Sequence, residues 1–194
     1  THQLWAFKWA LEQPNVALFL DMGLGKTFVT REILDYHRKK DLLNDKPSLV
    51  VIPLSSFETW LSEYELSDAV ILPVLGSKER KRKIINQKAD VYLITYDTLR
   101  SLEDDLLKRE WGYMVLDEST KIKNPQSARS KVCYHIGLKA QRRMILTGYP
   151  VTQQYMDLFG QFRFLDRSVY GVSAHAFKSR YCMMGGYDNK VVIG

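Results

Sequence analysis

Cysteine and long apolar runs are scarce in this 194-residue chain, and each shortage excludes a class of protein. The two cysteines, Cys133 and Cys182, are far apart and outside any metal-ligand spacing, so we expect buried thiols in a reducing, intracellular compartment. That compartment would be the cytoplasm, with association to the nucleoid, in a bacterium or phage, and the nucleus in a eukaryote. No apolar run approaches the roughly 20 residues that span a bilayer, and no secretory signal opens the chain, so no membrane partner is expected.

Internal repeats and low-complexity segments are missing as well. The length suits one sizeable core and is too short for two full α/β domains. The composition, 45% hydrophobic and 26% charged, is that of an ordinary globular protein, and the formal net charge is +6. That positive charge suits a polyanionic partner, but it supports nucleic-acid binding only where a motif points there independently.

Short apolar segments alternate with helical patterns along most of the chain. The predicted strands lie at residues 16–20, 48–53, 70–75, 90–96, 111–116 and 143–148. Because each strand is nearly all apolar, the sequence predicts an α/β fold, with a mostly parallel sheet covered by helices on both faces. In such folds ligands bind in the crevice at the carboxyl ends of the strands, and the polar clusters of this sequence follow those ends.

Helical spacing predicts several further features. Residues 1–12 read as a helix with Trp5 and Trp9 on one buried face. Ser55 or Ser56 is placed to cap a helix that runs through Tyr64, and helical patterns also cover residues 97–107 and 155–165. The tail beyond them reads as an aromatic, loop-like segment that ends in a small hairpin at residues 185–193.

A turn with two glycines joins the first predicted strand to the next helix, and we call residues 20–27 the phosphate loop. Gly23 and Gly25 permit positive φ and close backbone approach, so N–H groups at the helix N-terminus can point at phosphate oxygens. Lys26 would then reach the β- and γ-phosphates, and the Thr27 hydroxyl would ligate Mg²⁺. Leu20 fills the position of the first glycine in the common pattern, so an ordinary strand-to-helix turn with a surface lysine stays open at this point.

Two acids, Asp117 and Glu118, directly follow another apolar strand. The first carboxylate can hold Mg²⁺, and the second can accept a proton from the water that attacks the γ-phosphate, or orient that water. Paired acids at a strand end are common by chance, and two solvated loop carboxylates are the alternative. The phosphate loop upstream makes the interpretation as a hydrolytic site the stronger one.

In sequence order, these segments and three others resemble the first RecA-like lobe of a superfamily 2 helicase, more specifically of the Snf2 family of ATP-dependent DNA translocases. Residues 21–27 are similar to motif I of that family, residues 117–124 to motif II and residues 146–150 to motif III. Residues 51–55 with Trp60 resemble motif Ia, residues 94–97 resemble motif Ib, and Gln3 falls where the adenine-reading glutamine of the family lies. The resemblance spans nearly the whole chain in the correct order, which makes it far more specific than any single motif.

The resemblance implies a RecA-like P-loop NTPase lobe that uses ATP and Mg²⁺ and moves along double-stranded DNA. It implies nucleotide binding by Gln3, Gly23, Leu24, Gly25, Lys26 and Thr27. It also implies metal coordination by Thr27 and Asp117, catalysis by Lys26, Asp117 and Glu118, and coupling to DNA through Thr147 and Gly148. A track for one DNA strand, mostly through phosphate contacts, would comprise Pro53, Ser55, Thr95, Tyr96, Lys123 and Asn124. For the members of this track, an ordinary loop or capping role is an equal alternative.

The chain departs from the family at several positions. Ser119 and Thr120 stand where the family has Ala or Gly and then His, and Tyr149 replaces a Thr. A Gln-x-x-Gly-Arg-x-x-Arg segment, which the family carries in a second RecA-like lobe, is not found. We therefore expect residues 1–165 to form the first lobe and residues 166–194 to extend towards a second lobe of the same protein. Because arginine fingers contribute about 10³–10⁵ in rate, residues 1–194 alone are expected to bind ATP but to hydrolyse it poorly.

Two other interpretations stay open. Another superfamily 2 motor, such as a restriction-type DNA translocase or an RNA helicase, would carry similar motifs. A non-catalytic nucleic-acid-binding module would keep the fold without the chemistry, although Gly23, Lys26, Asp117 and Glu118 argue against it.

Overall fold

Six strands of the computed structural model form one sheet in which every neighbouring pair is parallel. The structure describes residues 1–65 and 67–182, together with the backbone of residues 184–185 and 191–192. The strands are β1 (Asn15–Phe19), β2 (Ser48–Ile52), β3 (Ile71–Pro73), β4 (Val91–Thr95), β5 (Trp111–Asp117) and β6 (Ala140–Thr147). They lie in the order β1-β6-β5-β2-β4-β3, which confirms the predicted parallel sheet.

Helices connect these strands and follow the last of them. They are α1 (His2–Leu11), α2 (Lys26–Lys39), α3 (Phe57–Glu63), α4 (Lys78–Ile85), α5 (Tyr96–Ser101), α6 (Glu103–Leu107), α7 (Ala128–Gly137), α8 (Met156–Leu165), α9 (Arg167–Tyr170) and α10 (Ala174–Tyr181). Short 3₁₀ turns at Leu54–Ser56 and Ser119–Ile122 precede α3 and follow β5. Within the described part of the chain, no helix is both long enough and apolar enough to cross a membrane.

Both faces of the sheet are covered, as the apolar strands predict. Strands β2 and β5 are buried along their whole length. One face packs against α1, α2 and α3, where Ile33 and Trp60 are fully buried. The other face packs against α4 to α8, where Leu99, Ile136 and Phe164 fill the core. Parallel strands that are buried on both sides must be apolar throughout, so burial on both faces of the sheet explains the apolar runs in the sequence.

Helix α1 buries a different face from the one predicted. Its buried residues are Ala6 and Ala10. Trp5 and Trp9 remain 69% and 38% exposed and stack on each other with ring centroids 6.2 Å apart. The prediction of two core tryptophans is wrong because the small alanine side chains let α1 approach the rest of the protein on the neighbouring face.

Two helix boundaries also differ from prediction. Neither Ser55 nor Ser56 caps α3, because the 3₁₀ turn runs directly into the helix and Ser56, at φ −93° and ψ −1°, makes no capping hydrogen bond. The helix expected at residues 97–107 is two helices, α5 and α6, which meet at Leu102 with φ −118° and ψ 17°.

The tail beyond residue 165 is helical rather than loop-like. Helices α9 and α10 pack back on α8, where Phe162 meets Tyr170 and Phe159 meets Phe177 at ring-centroid distances of 4.9 and 5.3 Å. The backbone of Met184–Gly185 pairs antiparallel with Val191–Val192, as the predicted hairpin requires, and the rest of that hairpin lies outside the described residues. Of the two cysteines expected to be buried, Cys133 is buried and Cys182 is only half-buried.

Candidate functional site

The parallel strands all end at one edge of the sheet, and the predicted site residues lie along that edge. Phe19 at the end of β1 is paired with Thr147 at the end of β6, and Asp117 at the end of β5 is paired with Leu146. One strand therefore separates the phosphate loop from the acid pair, which corresponds to about 10 Å at the usual strand spacing. Strands β2 and β4, whose ends carry candidates for the DNA track, lie on the other side of β5.

The phosphate loop contains two glycines in left-handed backbone conformations. Gly23 has a φ of +77° and Gly25 a φ of +80°. Gly25 is the N-cap of α2, and no side chain caps that helix, so its first backbone N–H groups can bind an anion. A Cβ added to Gly25 would also collide with the Gln3 amide. The positive φ therefore favours glycine here, whereas the Gln3 amide is the end of a flexible side chain that could turn aside.

Lys26 lies across the phosphate loop. Its Nζ donates hydrogen bonds to the carbonyl oxygens of Leu20, at 2.7 Å, and Asp21, at 3.1 Å. The same ammonium is near enough to the acids for its charge to counteract part of the rise in the pKa of Asp117 and of Glu118. The lysine and the acids thus face one site, as a shared nucleotide and magnesium ion would require.

Gln3 approaches the phosphate loop from α1. Its Nε2 donates to the Leu24 carbonyl oxygen at 3.4 Å, and Nε2 of His2 lies 3.1 Å from the same oxygen. Because the bond from Gln3 is long, little is lost when its amide exchanges that contact for an adenine edge, which needs one donor and one acceptor. The residues predicted to hold the nucleotide are therefore adjacent, although Gln3 and Leu24 are 21 positions apart in sequence.

Asp117 is the more buried acid of the pair, with 8% of its surface exposed. Its Oδ2 accepts a hydrogen bond from Trp60 Nε1 at 2.9 Å, and its Oδ1 accepts one from the Glu118 N–H at 3.0 Å. Burial raises the pKa of Asp117, and the two hydrogen bonds and the Lys26 charge offset part of that rise. The bonds orient the carboxylate but leave lone pairs on both oxygens, so it retains the capacity to bind a metal ion.

Glu118 has an unusual backbone, with φ 50° and ψ 55°. This left-handed conformation costs a residue with a side chain about 1–2 kcal/mol and is concentrated at functional sites. Burial raises the pKa of Glu118, the charge of Asp117 raises it further, and Lys26 and Lys121 oppose the change. A carboxylate with a raised pKa is a stronger proton acceptor, which is the property that a general base needs.

The acids and the loop hydroxyl fit a magnesium ion that arrives with a nucleotide. Among the described residues, no group of three or more His, Cys, Asp or Glu side chains could hold a metal ion. Mg²⁺ seldom uses such a group, since it commonly binds through one or two carboxylates and the phosphate oxygens of the substrate. Asp117 supplies an oriented carboxylate, and Thr27, in the first turn of α2, supplies a hydroxyl.

Thr147 and Gly148, the predicted coupling pair, join β6 to the phosphate loop. Thr147 is buried, and its Oγ1 accepts a hydrogen bond from the Tyr149 N–H at 3.2 Å. A Cβ added to Gly148 would lie 3.6 Å from both the Leu20 oxygen and the Met22 nitrogen. The coupling segment therefore lies beside the phosphate loop, with room for a methyl group between them, and the coupling role itself stays a prediction.

The candidates for the DNA track lie along one hollow, which we call the strand-end groove. It runs past the ends of β2 and β4 and is lined by Pro53, Leu54, Ser55, Lys81, Thr95, Tyr96, Lys121 and Arg129. A second hollow shares Tyr96, Lys121 and Arg129 with this groove and continues to Lys123 and Asn124. The predicted track residues are therefore contiguous. Lys81 and Lys121 add positive charge that suits a phosphate backbone, whereas Arg129 lies 3.4 Å from Asp97, an acid that lines both hollows.

Two of these candidates have partners within the fold. Tyr96 is 4% exposed, and its hydroxyl donates to the backbone oxygen of Asp117 at 2.7 Å. Thr95 caps α5, with its Oγ1 accepting from the Thr98 N–H at 3.0 Å. Tyr96 thus holds the backbone of the acid pair through this hydrogen bond. Contacts of Thr95 and Tyr96 with DNA stay predictions.

Lys123 and Asn124 also make contacts within the protein. Nζ of Lys123 donates to Thr152 Oγ1 at 2.5 Å and lies 3.5 Å from an Asp157 oxygen. Oδ1 of Asn124 accepts from the Gln126 N–H at 2.9 Å. Part of the Lys123 charge is therefore already balanced, and a contact of either residue with DNA stays a prediction.

Two side chains that support the acid pair were missed by sequence reasoning. Trp60 holds the Asp117 carboxylate, and Gln161, which is fully buried in α8, accepts a hydrogen bond from Ser119 Oγ at 2.6 Å. A buried indole N–H or amide must have a hydrogen-bond partner, so a glutamine within the apolar pattern of α8 indicates a buried hydrogen bond. The sequence alone does not reveal which partner it finds.

Comparison with known proteins gives consistent matches. Residues 2–185 match the family model of the SNF2-related domain. The chain is 30% identical over 189 residues to a probable ATP-dependent DNA helicase, CHR23, of Arabidopsis thaliana, which covers 92% of this chain and 17% of that protein. It is 29% identical over 189 residues to nuclear protein STH1/NPS1 of Saccharomyces cerevisiae, which covers 91% of this chain and 14% of that protein.

A solved structure is similar over nearly the same extent. The SWI2/SNF2 ATPase core of Sulfolobus solfataricus in complex with dsDNA superposes with a TM-score of 0.79 at 32% identity, and the match covers 93% of this chain and 38% of that one. This likeness confirms the predicted RecA-like α/β fold. The chain spans less than a fifth of the length of the two curated relatives.

Proposed function

The chain belongs to the SNF2-related domain family, and from this membership we propose that it is the nucleotide-binding lobe of a motor that couples ATP hydrolysis to movement along double-stranded DNA. One observation supports this most directly: the phosphate loop and the acid pair meet at one sheet edge, where the charge of Lys26 acts on both acids. The relative from Arabidopsis is named as an ATP-dependent DNA helicase, and the similar core from Sulfolobus is bound to dsDNA. An intracellular location is part of the same proposal.

In this proposal the nucleotide binds across the N-terminus of α2. Gln3 recognises the adenine edge, the N–H groups of residues 23–25 face the phosphates, and Lys26 exchanges its two carbonyl partners for phosphate oxygens. Thr27 and Asp117 are the residues that would hold magnesium. The metal, when bound, offsets negative charge on the phosphates and polarises them.

Glu118 accepts a proton from the attacking water. Its partly exposed carboxylate and raised pKa suit that task, whereas Asp117, which is almost fully buried and bonded to Trp60, is suited to hold its position. The different surroundings of the two acids therefore favour a different role for each, proton acceptance by Glu118 and a fixed position for Asp117. No arginine finger has been identified in these residues, so we propose that residues 1–194 alone bind ATP and hydrolyse it slowly.

DNA would lie in the strand-end groove. Lys81, Lys121 and Arg129 line it, and their charges suit phosphates rather than base edges, so binding would depend on salt more than on sequence. The position of Gly148 beside the phosphate loop would let it relay the nucleotide state towards that groove. We further propose that residues 1–165 form this lobe and that residues 166–194 lead towards a second RecA-like lobe, which closes on ATP.

Two substitutions in the whole protein test the proposal. Lys26→Ala removes the charge-assisted hydrogen bonds to phosphate, worth about 1.5–3 kcal/mol, so ATP binding should weaken about 10- to 150-fold. Glu118→Gln should bind ATP within about twofold of wild type but lower kcat by about 10²–10⁴, the usual contribution of a general base. Lys8→Ala, on the exposed part of α1, is the matched control for loss of a lysine.

Titration with a fluorescent ATP analogue and steady-state ATPase assays with duplex DNA measure these effects. Unchanged turnover in Glu118→Gln would remove the general-base assignment. Stimulation by single-stranded RNA but not by duplex DNA would identify a different superfamily 2 motor. Absence of Mg²⁺–ATP binding by wild type would leave a nucleic-acid-binding module without catalysis.

A further inference from the structure

A buried chain of hydrogen bonds links the acid loop, residues 117–123, to the segment that follows β6. Ser119 Oγ donates to Gln161 Oε1 at 2.6 Å. Gln161 Nε2 then donates to the Pro150 oxygen at 2.7 Å and to the Asp157 oxygen at 2.8 Å. Ser119 and Gln161 are both 0% exposed, so water has little access to the bond between them, whereas the bond to Pro150 is partly buried. Both amide hydrogens and the amide oxygen of Gln161 are thereby used.

The two ends of this chain lie at functionally significant points. Ser119 directly follows Glu118, whose backbone is held in the left-handed region. Pro150 lies two residues beyond Gly148, which lies beside Leu20 and Met22 of the phosphate loop. One side chain, that of Gln161, therefore spans the distance between the proposed general base and the proposed coupling segment.

A second set of contacts makes the same connection a few residues away. Asp157 Oδ2 accepts from the Thr152 N–H at 2.9 Å and the Gln153 N–H at 3.0 Å, and Lys123 Nζ lies 3.5 Å from it. Gly160 lets α8 approach the Lys123 backbone so closely that a Cβ would overlap it. Hydrogen bonds and close packing therefore hold the acid loop to the residues after β6 near both of its ends.

We propose that Gln161 is a positioning residue that transmits the state of the acid pair to the segment after β6, and so makes hydrolysis responsive to DNA. The inference rests on the proposed function and adds to it a residue outside the motifs. Gln161 makes no contact with the phosphate loop among its hydrogen bonds, so nucleotide affinity does not depend on it. Its removal would separate DNA binding from the chemistry without removing either.

The test is a double-mutant cycle in the whole protein with Ser119→Ala, Gln161→Leu and the two combined. The quantity measured is DNA stimulation, the ratio of ATPase kcat with saturating duplex DNA to kcat without it, together with KM for ATP and the thermal midpoint. Thr30→Val is the matched control, because Thr30 is also buried and its hydroxyl contacts only Met144 Sδ, at 3.6 Å, away from the acid loop.

Each single substitution breaks the chain at one point, so we expect DNA stimulation to fall at least tenfold in either one and no further in the double variant. KM for ATP should stay within twofold of wild type, and Thr30→Val should keep its stimulation. The double variant removes both partners of the bond between Ser119 and Gln161 and leaves the partly buried Pro150 oxygen to water, so we expect it to fold and to serve as the test where a single variant is unfolded.

Full stimulation in the double variant, or single effects that multiply, would overturn the inference and leave Gln161 with a purely structural role. A wild-type protein that duplex DNA does not stimulate would instead refute the proposed function, and the inference with it. The two failures are therefore distinguishable, because only the second is seen without any substitution.

Discussion

Substitution of Gly160 by alanine tests how closely α8 is packed on the acid loop. A Cβ at this position would lie 2.5 Å from the Lys123 carbonyl carbon and 2.7 Å from the Ile122 oxygen. These are backbone atoms that cannot rotate aside, so the cost should be at the upper end of overpacking, about 3 kcal/mol. Alanine in place of glycine returns about 1 kcal/mol through helix propensity, which leaves a net destabilisation of about 2 kcal/mol.

The matched control is Gly137→Ala, the same change in another helix. There the added Cβ would meet the Phe164 ring, with its Cε2 at 2.7 Å, rather than backbone. The Phe164 ring is buried, but its edge can move more readily than backbone, so the cost should be smaller than at Gly160 and the propensity gain should leave a change within about 1 kcal/mol.

Urea unfolding of both variants measures these free energies. At an m-value of about 2 kcal/mol/M, Gly160→Ala should lower the midpoint by about 1 M with m unchanged. A midpoint equal to or above that of wild type would refute the claim that α8 lies directly on the Lys123 backbone. It would also remove one of the two connections between the acid loop and the residues after β6.

Two further substitutions have expected outcomes. Gln3→Ala removes the amide that we propose reads adenine. Each lost hydrogen bond is worth about 0.5–1.5 kcal/mol, so the preference for ATP over GTP in competition binding should fall about tenfold. An unchanged preference would show that another group selects the base. Burial, opposed by a hydrogen bond to the Ile33 oxygen, lowers the pKa of His37 below its unfolded value of 6.5, so the unfolded state gains the proton first as pH falls. Stability from His37 is therefore present above pH 6.5 and lost below it, by at most about 1.4 kcal/mol per pH unit, and His37→Gln should flatten that part of the unfolding curve; parallel curves would contradict the assignment.

The features that sequence predicted correctly are those that neighbouring residues determine. Each strand of the sheet is a short apolar run, and a run buried on both faces is recognisable from composition alone. The backbone of the glycine turn is equally local, since Gly25, Lys26 and Thr27 are consecutive and the positive φ of Gly25 needs no distant partner; its phosphate-binding role stays a prediction. The location of site residues at the strand ends followed from the parallel arrangement, which the alternation of strands and helices implies.

The features that sequence missed depend on distant partners. Trp60 and Asp117 are 57 positions apart, and Ser119 and Gln161 are 42 apart, so no local pattern pairs them. Helix α1 shows the same difficulty in another form, since its periodicity permits either an aromatic or an alanine face to be buried. The face with Ala6 and Ala10 is the one that packs, because its small side chains permit a close approach, and only the assembled fold shows this.

The two halves of the candidate site differ in freedom, and the difference follows from their proposed tasks. Asp21, Met22 and Leu24 are exposed, and Lys26 is held only by carbonyl oxygens of its own loop, so this half can rearrange around an arriving phosphate at small cost. In the acid half, Asp117 and Ser119 are buried and Glu118 is partly buried, and hydrogen bonds of Trp60, Tyr96 and Gln161 hold the segment in place. A carboxylate that must reorganise during the reaction loses much of its effect, so a fixed acid segment suits catalysis. We therefore expect an arriving nucleotide to move the phosphate loop more than the acids, and Gly148, which lies beside that loop, would carry the movement into β6.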